Sequence, residues 1–208
     1  MSAPPARGEP RSRAKGAALV FTGVLGALVA VVVLLVIVAL VTGVVRAFRQ
    51  PSESMAPTIK RNQHLITTGL GFPFSSTVHR GDIVVLHPSV GLDRPEQACA
   101  ISREPADGHP CARALTQQSS SKVIKRVVAV GGDRIRVVAG RVYIDGVASK
   151  EPYARTAAGC LGCELPREIT VPPGQVFVMG DNRPSSDDSR FWGPVPMGWV
   201  IGRKLLVY

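Results

Sequence analysis

The sequence predicts a mainly β domain carried behind one membrane-spanning helix. Two observations carry this. No charged residue occurs between Ala17 and Val45, and from Arg49 onward the chain turns to short β-branched runs broken by Gly, Pro, Asp and Asn. With 208 residues, 45% hydrophobic but only 5% aromatic, the chain has material for one ordinary domain plus an aliphatic anchor.

Residues 1–16 are rich in Pro, Ala, Gly and Arg and lack apolar periodicity, so they read as a disordered basic tail. The run 17–45 would span about 44 Å as a helix, against a hydrocarbon core of about 30 Å. One tilted helix therefore crosses the bilayer. A cleavable leader would have an apolar region of only about 7–15 residues. Arg7, Arg11, Arg13 and Lys15 place the N-terminus in the cytoplasm and residues 46–208 outside it, although Arg46 and Arg49 dilute the asymmetry.

Strands are expected at His64–Thr68, Asp82–Leu86, Val123–Val130, Ile135–Val138, Arg141–Ile144, Gln175–Met179 and Ile201–Val207. Ala139-Gly140 and Asp145-Gly146 supply turn residues that tolerate positive φ. Residues 88–121 show no periodicity and form a loop or ribbon excursion. No internal repeat is present.

A formal charge of +10 raises the question of nucleic acid. The Lys and Arg are scattered through strand-like segments without a recognition motif, so no nucleic-acid partner is expected. Anionic lipid headgroups account for the sign more simply.

Three segments carry chemistry. Pro51-Ser52-Glu53-Ser54-Met55-Ala56-Pro57-Thr58-Ile59 follows the apolar run; alone, its serines read as turn residues. Val123-Ile124-Lys125-Arg126-Val127-Val128 sets two cations in a strand, where alternation sends one of them inward. Met179 to Pro196 is a polar loop dense in Asp, Asn, Arg and Ser, suited to supporting a buried polar site.

Together these segments resemble the type I signal peptidases. The likeness rests on Ser54-Met55-Ala56-Pro57-Thr58, Arg80-Gly81-Asp82, Lys125-Arg126-Val127-Val128 followed by Gly132-Asp133, and Gly180-Asp181-Asn182-Arg183 through Ser186-Asp187-Asp188-Ser189-Arg190, in that order behind an anchor. The resemblance implies an antiparallel two-sheet catalytic domain. It also implies a serine endopeptidase of the bacterial cytoplasmic membrane that cleaves precursor proteins after Ala-x-Ala. Ser54 would be the nucleophile and Lys125 the general base. Ser52 would help hold the oxyanion, Ser186 would orient the amine, and Asp188 with Arg190 would form a supporting pair near Asp181 and Arg183. Pro51, Ser52, Met55, Ile59, Val123 and Ile124 would wall the substrate pockets, and no metal or nucleotide is needed.

Two departures stand out. Glu53 replaces a common Gly, so its side chain must point away from an oxyanion pocket; Pro184 and Ser185 replace acidic or amide residues, opening a register in which Ser185 takes the place of Ser186. The chemistry also demands that burial lower the Lys125 pKa from about 10.4 to about 8, roughly 3 kcal/mol against the charged form.

His64, His79, His87 and His109 form no short metal-ligand pattern, and a Ser-His triad would leave the Lys segment unexplained. Cys99, Cys111, Cys160 and Cys163 allow three pairings. An extracytoplasmic setting favours disulfides, with Cys160–Cys163 and Cys99–Cys111 preferred and free thiols the alternative. Leu70, Phe72 and Phe74 either enter the core or meet the bilayer interface. The competing function is a catalytically silent, membrane-tethered β domain that binds an extracytoplasmic peptide. A self-cleaving Ser-Lys protease would not need a permanent anchor.

Overall fold

The computed structural model describes residues 11–41, 44–69, 77–93, 117–157, 160 and 163–208. The chain divides into two units, Met1–Gly43 and Val44–Tyr208. In the first, helix α1 runs over Arg11–Val41. It starts before the expected Ala17 because Arg11, Arg13, Ala14 and Lys15 are good helix formers and nothing in them stops propagation. Of the expected tail, residues 1–10 lie outside the described residues. The apolar side chains described along α1, from Val24 to Val38 and at Val41, are exposed. Among the described residues, no helix is long and apolar enough to cross a membrane.

The second unit is mainly β. Its strands are β1 (Val45–Arg49), β2 (His64–Gly69), β3 (Ile83–Leu86), β4 (Val123–Val130), β5 (Arg134–Val138), β6 (Arg141–Ile144), β7 (Val147–Ala148), β8 (Leu165–Thr170), β9 (Gln175–Met179), β10 (Val195–Pro196) and β11 (Val200–Val207). They form a seven-stranded sheet in the order β1-β2-β11-β3-β4-β9-β10 and a four-stranded sheet in the order β7-β6-β5-β8. Every named pairing is antiparallel.

The burial patterns follow from position. Strand β4 is central and buried at six consecutive positions, 124–129, because both of its faces are covered, whereas β5 alternates strictly, as a strand with one wet face must. Val128, Ala129, Phe177 and Met179 of the large sheet share a core with Ile135, Val137, Val142 and Leu165 of the small one. A second cluster packs Val84, Leu86, Val127 and Val178 against Trp192. A third gathers Met55, Ile59, Leu65, Ile83, Val85 and Ile124.

Both expected turns occur. Ala139 and Gly140 take φ 48° and 75°, Asp145 and Gly146 take 50° and 80°, and each pair closes a two-residue hairpin whose twist requires positive φ at both positions. The extra strands are mostly edges. β8 carries Pro166 and β10 carries Pro196, residues tolerated where one side of the strand lacks a partner. β1 occupies residues expected at the end of the helix and just beyond it; pairing of Val45–Arg49 with β2 overrides the local apolar pattern.

Cys160 and Cys163 are disulfide-bonded. Cys99 and Cys111, His109, the loop residues Leu70, Phe72 and Phe74, and positions 94–116 of the expected excursion lie outside the described residues. The described part of the excursion contains a 3-10 turn at Val90–Leu92 and a bridge between Ser89 and Gln118.

The β4–β5 turn is clamped by Asp133. Its Oδ2 accepts from Val130 N–H at 2.8 Å and from Arg80 Nε at 2.6 Å, while its Oδ1 meets Arg80 Nη2. Burial pushes this carboxyl upward, but the Arg80 and Val130 hydrogen bonds outweigh it and hold the pKa below the usual range. Stability from this clamp is present above the unfolded value of about 3.9 and is lost as pH falls through the lower folded value. Asp133→Asn is expected to cost about 1–2 kcal/mol at pH 7 in urea unfolding. The gap to wild type should close in acid, and a gap unchanged at pH 3 would contradict the clamp.

Candidate active site

Strand β1 leads directly into the first element of the site. Gln50 is fixed at both ends, its N–H donating to Gln63 O at 2.9 Å and its carbonyl accepting from Asn62 N–H at 2.7 Å. The chain then turns, with Ala56 N–H donating to Glu53 O at 3.0 Å and Ile59 N–H to Met55 O at 2.9 Å. Met55 and Ile59, both fully buried, hold this turn against the core, which leaves Ser54 5% exposed. The Ser54 and Ser52 hydroxyls lie 3.1 Å apart, and the Ser54 N–H reaches Ser52 Oγ at 3.4 Å. Glu53 is exposed and is not among the residues lining the cavity onto which Ser54 opens.

Lys125 is the third residue of β4 and only 3% exposed. Its Nζ donates to Ser186 Oγ at 2.9 Å. Burial lowers its pKa to about 8; Asp188, Asp187 and Asp181 oppose the shift, while Arg190 assists it. Alternation alone would bury one of Lys125 and Arg126, yet both are buried, because each face of β4 has its own cover. Arg126 takes the opposite face. There it forks onto Asp181 at 2.7 and 2.8 Å, donates to Gly81 O at 2.8 Å and lies 3.7 Å over the Tyr153 ring.

The third element runs from Gly180 to Trp192. Asp188 caps the short helix α2 (Ser189–Trp192), accepts from Gly180 N–H at 3.0 Å, and pairs with Arg190 at 2.8 Å. Burial would raise the Asp188 pKa, but Arg190, Lys125 and the Gly180 N–H hold it below the carboxylate range. Arg190 Nη2 also donates to the carbonyls of Arg183 at 2.8 Å and Ser186 at 3.1 Å, fixing the backbone that aims the Ser186 hydroxyl. Ser186 is buried and Ser185 exposed, which selects between the two registers open in the sequence.

Asp181 and Arg183, expected near the Asp188–Arg190 pair, have ion-pair partners of their own: Asp181 pairs with Arg126, and Arg183 with Glu151 at 2.7 Å. Tyr153, which touches Arg126, also donates to Glu151 at 3.2 Å. Burial, then Glu151, pushes the Tyr153 hydroxyl up to about 12. The residues 151–153 follow β7 without periodicity, and nothing in their sequence marks them as part of the site.

Ser54, Ser52 and Lys125 open onto one cavity of about 140 Å³. Pro51, Val123 and Ile124 line it as expected, joined by Phe48, Gln50, Val85 and the exposed Arg49 and Lys122. Met55 and Ile59, expected as pocket walls, instead belong to the core behind it, because the 55–59 turn directs both inward. The described histidines lie in other networks: His64 stacks on Tyr208, His87 Nδ1 meets the Ser119 and Ser121 carbonyls, and His79 lies near Asp82. A buried hydroxyl and a buried amine sharing one small cavity form a site of hydrolase type.

Residues 24–208 match the family described as "Signal peptidase, peptidase S26", and the chain belongs to that family. It is 35% identical over 160 residues to a signal peptidase I of Leptolyngbya laminosa, covering 75% of this chain and 64% of that one. A probable signal peptidase I-1 of Synechocystis is 35% identical over 155 residues, covering 74% and 66%. The signal peptidase I of Mycobacterium tuberculosis is 30% identical over 216 residues, covering 87% and 70%. The chain thus spans slightly less than two thirds of the Leptolyngbya and Synechocystis relatives.

Gly180 shows how closely the elements meet. A Cβ there would collide with Ser186 Oγ and the Ser54 carbonyl oxygen, the latter also receiving Asn182 N–H at 3.0 Å. Gly180→Ala must therefore separate two of the three elements, an overpacking cost of about 1–3 kcal/mol. The expected outcome is a lower melting temperature together with a loss of activity greater than the loss of folded protein. Wild-type activity in the Ala variant would show that these elements can part without consequence.

Proposed function

We propose that this chain is a membrane-anchored serine endopeptidase that removes N-terminal signal peptides from exported precursors, with Ser54 as nucleophile and Lys125 as general base. The observation that carries the reading is the buried Lys125 amine, with its pKa lowered to about 8, opening onto the same cavity as the Ser54 hydroxyl. A fraction of it is neutral near pH 7 and can accept a proton; an exposed lysine near 10.4 supplies almost none.

An extended precursor segment lies with small side chains in the cavity, whose volume of about 140 Å³ suits Ala and excludes large residues. Lys125 Nζ takes the Ser54 proton as Oγ bonds to the scissile carbonyl carbon, and the carbonyl π pair moves onto oxygen. The Ser54 N–H and the Ser52 hydroxyl donate to that oxyanion. As the tetrahedral species collapses, the Lys125 ammonium returns its proton to the departing amine, which becomes the new N-terminus. Water, deprotonated in turn by Lys125, then releases the acyl group from Ser54. Ser186 holds the amine in line, and Asp188–Arg190 holds Ser186.

The anchor in this reading is the uncharged run 17–45 of the sequence, which as a helix would rise about 44 Å against about 30 Å of hydrocarbon. Its exposed aliphatic side chains support a lipid rather than a water environment. A single pass with the N-terminus cytoplasmic puts residues 46–208 on the far side of a bacterial cytoplasmic membrane. Precursor proteins and the bilayer are the partners.

The test is cleavage of a purified precursor after its Ala-x-Ala site by the full chain in detergent. Ser54→Ala and Lys125→Ala should remain folded and inactive, and cleavage by either would refute the dyad. The pH dependence follows from Lys125. Below about 8 the amine is protonated and idle, so kcat/KM should rise with pH through that value. Asp187 raises the Lys125 pKa, so Asp187→Asn should move the acid limb to lower pH. An upward movement, or no acid limb, would contradict the assignment of the base.

A further inference from the structure

Gln50 directly precedes the serine segment, is 1% exposed, and lines the cavity. Its Nε2 lies 3.1 Å from three oxygens: the Ser52 carbonyl, Ser52 Oγ and Ser54 Oγ. A backbone carbonyl only accepts, so the end of the amide facing it must be the NH2 group, which only donates. The NH2 group has two N–H bonds for three oxygens, so with one on the carbonyl the other is shared between the two hydroxyls, and Ser52 Oγ also donates to Ser54 Oγ at 3.1 Å. Ser54 Oγ thus meets donors on its Gln50 and Ser52 sides and receives them on its lone pairs, which directs its own proton away from both.

We propose that Gln50 is a positioning residue for the reaction. Its side-chain amide, together with the Ser52 hydroxyl, occupies the lone-pair side of Ser54 Oγ, so that the Ser54 proton is turned toward the cavity that Lys125 lines. The proposal rests on the Ser54–Lys125 reading and adds a polar contact behind the two hydroxyls. The backbone hydrogen bonds at Gln63 and Asn62 hold Gln50 at both ends, so the amide is aimed by the end of β1 rather than by a free loop. As Ser54 gives up its proton, the same N–H meets a growing negative charge on Oγ and strengthens, a contribution made in the transition state. An apolar side chain of similar size would fill the space and remove the amide donor, leaving Ser54 Oγ with the Ser52 hydroxyl alone.

The test uses the full chain in detergent and the precursor assay, with Gln50→Met to remove the donor at similar volume and Gln50→Glu to replace it with an acceptor. Gln50→Met should lower kcat by about tenfold to a hundredfold with KM changed less than about twofold, and its acid limb should stay at the wild-type position. Gln50→Glu should lose more, because a carboxylate draws both hydroxyl protons toward itself, and its acid limb should move to higher pH as the new charge favours the Lys125 ammonium. Wild-type kcat in Gln50→Met, or a loss confined to KM, overturns the proposal. If Gln50→Met melts below wild type, Gln50→Glu decides: lower kcat with a displaced acid limb supports the role, and an unchanged kcat rejects it. Ser54→Ala and Lys125→Ala run in parallel. Their inactivity isolates any failure to Gln50, whereas cleavage by Lys125→Ala overturns both readings together.

Discussion

An amine kept from its proton is the constraint around which this site is arranged. Moving the Lys125 pKa from 10.5 to about 8 disfavours the ammonium by about 3 kcal/mol. That is a sizeable part of the roughly 5–15 kcal/mol by which domains are stable, and it falls on the fold at neutral pH. Nearby carboxylates work against the shift. Asp188 caps α2 and holds Gly180, yet its charge favours the ammonium. Arg190 resolves the conflict by pairing with Asp188 and adding a cation of its own to the field at Lys125.

The same logic governs the other face of β4. Arg126 cannot shed its proton, so burial obliges it to find a full set of partners. Asp181, Gly81 and the Tyr153 ring supply them, and Glu151 ties Tyr153 to Arg183. Adjacent residues on one strand thus reach opposite solutions: the lysine donates to a neutral hydroxyl, the arginine is paired with a carboxylate. The resulting network joins the segment after β7 to the segment after β9, and both to the central strand.

Much of this was legible in the residues and some was not. The strands β4, β6 and β9 have the bounds their β-branched runs predict, and Ala139-Gly140 and Asp145-Gly146 turn where their tolerance for positive φ allows. Ser186 follows from the spacing of Asp188-Ser189-Arg190. What escaped depends on three-dimensional neighbours. Alternation could not anticipate that both faces of β4 are covered, nor that Met55 and Ile59 turn away from the cavity into the core. β8, with Pro166, Arg167 and Glu168, reads as a loop until β5 gives it a partner. Gln50 carries no local signature, and its importance rests on which oxygens surround its amide.

Strand order has a consequence for how the molecule is made. Among the described strands β11 comes last in sequence, yet it lies between β2 and β3, pairing with both. During synthesis the large sheet stays in two pieces until Val200–Val207 arrives, with β1 and β2 on one side and β3, β4, β9 and β10 on the other. The serine segment follows β1 and the lysine belongs to β4, so hydroxyl and amine are carried by different pieces of the unfinished sheet. Such non-local closure is slow, since loop entropy must be overcome before the contacts form. Pairing of Val200–Val207 with both pieces is therefore the step that completes one continuous sheet beneath the hydroxyl-bearing turn and the amine-bearing strand.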